Sequence, residues 1–161
     1  MRIDLFHVNP FYMDRMVNFM YHQEYSTSDP TSLPHLQKDC QLAPDTFICI
    51  ENASPLELEV RMYILALDLS FCLQEYVLMK IEELLEKGVT MEAFAKAVEI
   101  AHALVEGDPW IKQVLATYAA HMDHNWGQPY EVAVTYEHLL RIPEFSVMTH
   151  RARLHIGSTR S

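Results

Sequence analysis

The sequence predicts an all-α fold: a single-domain antiparallel helical bundle of five or six helices spanning residues 1–161. Three observations carry that expectation. Gly88, Gly107, Gly127 and Gly157 each follow a run of helix-forming residues, and glycine is favoured just past a helix end because it enters the left-handed conformation without a Cβ penalty. Pro10, Pro55, Pro109 and Pro129 mark the opposite ends. Proline is pre-organised for the first helical position, and Asn9, Ser54 and Asp108 can cap the free N–H groups before it. Between these punctuation marks, apolar residues recur every three or four positions, the period of one helix face.

Residues 10–24 read as the first helix, with Tyr12, Met16, Phe19 and Met20 on one side, Met13 and Val17 widening that side, and Asp14, Arg15, Asn18 and His22 opposite. Residues 25–45, rich in Ser, Thr, Pro and Asp, form a long loop, a kind of segment that is often functional. Residues 46–51 have strand-like composition, and Leu56, Leu58, Val60, Met62 and Ile64 alternate with Glu57, Glu59, Arg61 and Tyr63. That alternation admits a short β-hairpin at 46–64. Helix is the favoured reading of 55–64, because Ser54-Pro55-Leu56-Glu57 is a capping box and Leu, Glu, Arg, Met and Ala are better helix than strand formers.

A break is expected near Asp68-Leu69-Ser70, since a helix from 55 to 87 would be unusually long. The next helices are 69–87 (Leu69, Leu73, Val77, Ile81 and Leu84 inward; Glu75, Glu82 and Glu86 outward) and 91–106, with Thr90 as its cap. Helix 109–125 is expected to turn Trp110, Val114, Tyr118 and Met122 inward. Short connections at 88–90 and 107–108 make these three antiparallel neighbours. Helices at 129–141 and 144–156 complete the chain, the last one ending in a basic tail at 151–161.

At 161 residues, 50% apolar and 21% charged, the chain can build one ordinary core. Its net charge of −10 argues against a duplex nucleic acid partner, because such a surface needs clustered Lys and Arg. The charge is unevenly placed. Residues 1–140 carry 8 basic and 21 acidic groups, whereas 141–161 carry Arg141, Arg151, Arg153 and Arg160 against Glu144 alone. A basic last turn suits the helix dipole; it also suits docking on an acidic face. Cys40, Cys49 and Cys72 make an odd set without a C-x-x-C pair, the usage of a reducing, intracellular, cytoplasmic protein. The longest uncharged apolar stretch, 62–67, is too short for a membrane span. The first residues lack the apolar core of a signal peptide.

Nine histidines raise the question of a metal. Glu99-x-x-His102 has the spacing of carboxylate-bridged bundles, yet a chain with this many Glu and His supplies one such pair by chance. His121 and His124 are weaker still as metal candidates, and antiparallel packing would offset His102 from His121 by roughly 12 Å along the axis. His102 falls mid-stripe in its helix and reads as a neutral core histidine bonded to one polar group, with acid–base work as the alternative. No G-x-S-x-G and no glycine-rich phosphate loop is present. Cys72, mid-helix on an apolar background, reads as an inert core thiol, and Glu82, Glu83 and Glu86 as a solvated face in which Glu83 can pair with Lys87.

No cofactor is therefore expected, and the function expected is negative in kind: a non-enzymatic, acidic protein–protein interaction subunit acting as an adaptor, a chaperone-like protein or an assembly factor. Its partner is another protein or a second copy. The residues singled out for that contact are Tyr12, Met13, Met16, Val17 and Met20, where Met and aromatics crowd one helix, together with Arg151 and Arg153 of the basic tail. The alternatives are a small helical metalloprotein or enzyme using His121 and His124, and an acidic mimic of nucleic acid.

Overall fold

The computed structural model describes residues 10–25, 53–67, 71–105, 109–122 and 130–158. They form seven helices: α1 (Pro10–His22), α2 (Pro55–Leu67), α3 (Phe71–Lys87), α4 (Met91–Leu104), α5 (Trp110–Met122), α6 (Tyr130–Leu139) and α7 (Pro143–Ser158). The class is all-α, with more helices than the five or six expected. The expected strand at 46–51, most of the loop at 25–45, Gly107, Gly127 and His124 lie outside the described residues.

Local chemistry accounts for the helix ends. Pro55 and Pro143 occupy first positions, and Ser54 Oγ accepts from Glu57 N at 3.2 Å. Thr90 caps α4 by accepting from Ala93 N at 3.3 Å. Gly88 closes α3 with φ +88°. At the end of α1 a non-glycine does the same work: Gln23 takes φ 57° and donates its N–H to Phe19 O at 2.7 Å. Gly157 differs from expectation. It lies inside α7, which continues to Ser158, where the serine hydroxyl donates to His155 O at 2.8 Å and takes over a terminal carbonyl. α2 ends at Leu67 and α3 begins at Phe71, the expected break at 68–70 lying outside the described residues, and Gln74 Nε2 donates back to Ala66 O at 3.2 Å.

Residues 55–64 are helical throughout, so the second arm of the possible hairpin is α2. The reason for its misleading alternation is burial. Leu56, Leu58, Val60, Met62, Tyr63 and Ala66 are buried, and so are Glu57 and Glu59. A helix enclosed on most sides needs no polar stripe. α2 packs on both α3 and α4, so these two do not form a main pair despite their short connection. The other principal contacts are α5 with α7, α6 with α4 and, less extensively, α5 with α3 and α4.

Two expected faces are rotated. α5 buries Ile111, Leu115, Ala116 and Ala119, while Trp110 is exposed. Small residues let α7 approach closely, and the larger Val114 and Tyr118 take the edges. α1 buries Phe11, Arg15 and Met16, and leaves Met20 in solvent. Met62, fully buried at the centre of α2, offers a direct check. Met62→Ala should lower unfolding stability by about 2–5 kcal/mol in a denaturant titration, and a loss under about 0.5 kcal/mol, the range of ordinary surface changes, would contradict the central place of α2.

Candidate functional site

Two buried polar clusters and one outward face stand out. The first cluster joins α1 to α2. Glu59 is 1% exposed, and Tyr25 OH donates to its Oε2 at 2.5 Å. Its other oxygen, Oε1, has no hydrogen-bond partner among the described residues. The Arg15 guanidinium stacks 3.8 Å from the Phe11 ring centre, near enough for its charge to favour the ionised Glu59 carboxylate. Lys80 reaches in from α3, its Nζ 5.0 Å from the ring centre of Tyr25 and 5.2 Å from that of Tyr76. Tyr76 in turn packs against Phe19 and edge-on against Tyr25.

Electrostatics follow from burial. Desolvation raises the Glu59 carboxyl, opposed by the Tyr25 hydrogen bond, Arg15 and Lys80. Desolvation also raises Tyr25 and pushes Tyr12 up to about 12, and it lowers Arg15. The cluster sets phenols and cations around a central carboxylate that is sealed from solvent. It acts as a clasp for α1.

The second cluster ties α7 to α4 and α5. Lys112 Nζ donates to Glu144 Oε2 at 2.8 Å, and His102 Nδ1 lies 3.1 Å from the same oxygen. The His102 ring is 6% exposed and sits edge-on to Phe145. Because Nδ1 faces a carboxylate, the neutral ring carries its proton there and leaves Nε2 bare, and no partner meets Nε2 among the described residues. Burial lowers the His102 pKa, against the pull of Glu144. The Lys112 hydrogen bond lowers the pKa of Glu144. His102 lies against the core with Glu144 as its polar partner, the placement the sequence suggested, and burial favours the neutral ring.

The remaining expected site residues separate. His121 is exposed and its Nδ1 donates to Thr117 O of its own helix at 2.9 Å. Among the described residues no group of three or more His, Cys, Asp or Glu gathers as a metal site. Met16 is buried, and Tyr12 and Met13 are half-buried against the core. Val17 and Met20 face solvent beside Tyr21, with Met20 71% and Tyr21 81% exposed. Arg151 is exposed, whereas Arg153 Nη2 donates to Tyr136 OH at 2.8 Å. α7 packs against α5 and α4, whereas α1 touches α2 through Phe11 and Leu58 and α3 through Phe19 and Tyr76.

An open groove of about 480 Å³ beside the end of α1 is lined by Asn18, His22, Glu24 and Tyr25. Arg15 and Glu59 were missed as sequence signals: Arg15 reads as solvated on the helical wheel, and Glu59 looks like the polar half of an alternating strand. No protein-family model, curated protein or solved structure matches the chain.

Two outcomes test the clusters. Tyr25→Phe removes the Tyr25 hydrogen bond to Glu59 and should reduce stability by about 1–3 kcal/mol in chemical denaturation, more than Tyr21→Phe on the exposed side. The second is a pH effect. His102, held below its ordinary 6.5, favours the fold when neutral, so stability falls as pH drops below 6.5. Glu144, held below 4.5, adds a further loss as pH falls through its folded value. Melting temperature should therefore fall between about pH 7.5 and 5.5, and His102→Gln should flatten that fall; an unchanged slope would remove His102 as its source.

Proposed function

We propose that the protein is a non-enzymatic interaction subunit whose α1 presents an apolar face to a protein partner. The observation that carries this reading is the outward row Met13, Val17, Met20 and Tyr21. Met13, Val17 and Met20 are spaced by four and three residues, the spacing of a helix–helix seam. Met20 and Tyr21 lie almost wholly in solvent, and Met with aromatic side chains are the types enriched where proteins meet. The inward side of α1 is already occupied by Phe11, Arg15 and Met16, and Met13 packs partly against the core, so Val17, Met20 and Tyr21 are the members of the row left to a partner. The acidic charge of the chain fits an adaptor or assembly role in the cytoplasm.

Light scattering and co-purification at moderate salt test this reading. The chain should self-associate or carry a partner, and Met20→Glu with Tyr21→Glu should weaken that association at least tenfold, about 1.4 kcal/mol, with little change in melting temperature. A strict monomer without any partner, or variants that associate like the parent, would refute it. Metal analysis of untagged protein should give well under one equivalent of Fe, Zn or Mn; a stoichiometric metal lost in His121→Ala or His124→Ala would move the assignment to a metalloprotein.

A further inference from the structure

A second surface, independent of α1, lies on α7. Its outward side carries Val147 and Leu154, seven residues apart, with Leu154 62% exposed. Arg151 sits between them, and His150 and His155 flank them; all three are exposed. The chain has 22 acidic residues, yet none follows Glu144. This row is therefore an apolar ridge in a positive setting on a protein of net charge −10. Arg141, in the turn before α7, extends the setting.

The outward side of α3 is its complement. Cys72, exposed rather than in the core as expected because it lies on the outward side of α3, and Met79, also exposed, are likewise seven residues apart. Glu75, Glu82, Glu83 and Glu86 surround them, all exposed and without an ion pair among the described residues. Glu83 and Lys87, adjacent on this face, do not pair either. Two ridges with the same spacing of about 10.5 Å can be laid against each other. In the antiparallel direction, Val147 meets Met79 and Leu154 meets Cys72. Arg151 then stands opposite Glu75, and Arg141 falls at the Glu82–Glu86 end. The parallel direction brings Arg151 opposite Tyr76 instead, so charge selects the antiparallel register.

We infer that the occupant of the α7 ridge is a second copy of this chain, docked through its α3 face in that antiparallel register. The two surfaces are different, so the contact is heterologous and propagates into short chains or a ring. Long-range repulsion between acidic copies is damped beyond about 8 Å at physiological salt, while charges in contact remain effective. The association is accordingly weak and passes through a maximum with ionic strength: repulsion limits it at low salt and screening at high salt.

Charge exchange tests the contact. One variant is Arg151→Glu with Arg141→Glu; the other is Glu75→Lys with Glu82→Lys. In sedimentation at about 0.15 M salt, the parent chain should form concentration-dependent oligomers. Each variant alone should associate at least roughly tenfold more weakly, and an equimolar mixture should recover association, because opposite charges face one another again in both contacts. Leu154→Cys supplies a check on register: under mild oxidation it should link to Cys72 of the neighbouring copy, and the added change Cys72→Ser should abolish the link. Variants that associate like the parent, a mixture that does not recover, or no Cys72-dependent link would each overturn the inference. The α1 reading is separable, because Met20→Glu leaves this contact intact and the charge variants leave the α1 face unchanged. An acidic partner of another kind would appear as binding lost in Arg151→Glu but unaffected by Glu75→Lys, and would likewise exclude the second copy.

Discussion

Enclosing α2 is the constraint on which the other helices depend. Between Leu56 and Val60 five consecutive residues are buried, two of them glutamates. A helix without a solvated stripe needs neighbours on several sides, and α3, α4 and the side chains of α1 supply them. Burial of Glu59 then imposes a second requirement. A carboxylate out of water needs hydrogen bonds and opposite charge nearby, and Arg15 of α1, Lys80 of α3 and Tyr25 just past the end of α1 answer that need. Glu57 resolves more simply, with an i, i+4 ion pair to Arg61 at 3.3 Å on the same helix.

The same logic recurs at the other end of the bundle. α7 carries few apolar side chains for its length, and its buried positions are Phe145, Thr149 and Ala152. Its attachment is reinforced by Glu144, which gathers Lys112 and His102 onto one oxygen. Half of the Glu144 side chain remains in solvent, so the ion pair itself contributes modestly. Its larger consequence is orientation: Lys112 loses its hydration on packing, and Glu144 at the start of α7 supplies the anion it then needs.

Because polar clasps hold α1 and α7, their apolar residues are not all consumed by the core. α1 docks with Phe11, Arg15 and Met16, which turns Met20 and Tyr21 outward. α7 docks with Phe145 and Ala152, which turns Val147 and Leu154 outward. Scattered single apolar residues on a surface need no explanation, but rows at helical spacing, each in its own charge setting, are what recognition between helices uses. The outward rows of α1 and α7 are thus by-products of how each helix is anchored.

Much of this architecture was legible in the linear sequence. Thr90, Gly88 and the Ser54-Pro55 box set helix ends through bonds within a few residues, and such local chemistry is the same in any fold. The period of Leu73, Val77 and Ile81 likewise declared its own inward face. The facing of α1 and α5 was not legible, because both helices are apolar over much of their circumference, and periodicity cannot choose between two apolar sides. Tertiary packing made that choice: the close approach of α7 favoured Ala116 and Ala119 over Trp110, and the buried Glu59 drew Arg15 inward at the expense of Met20. The alternation in 56–64 was ambiguous for the same reason, since a helix enclosed by neighbours and a half-buried strand impose different periods only when one side of the element meets water.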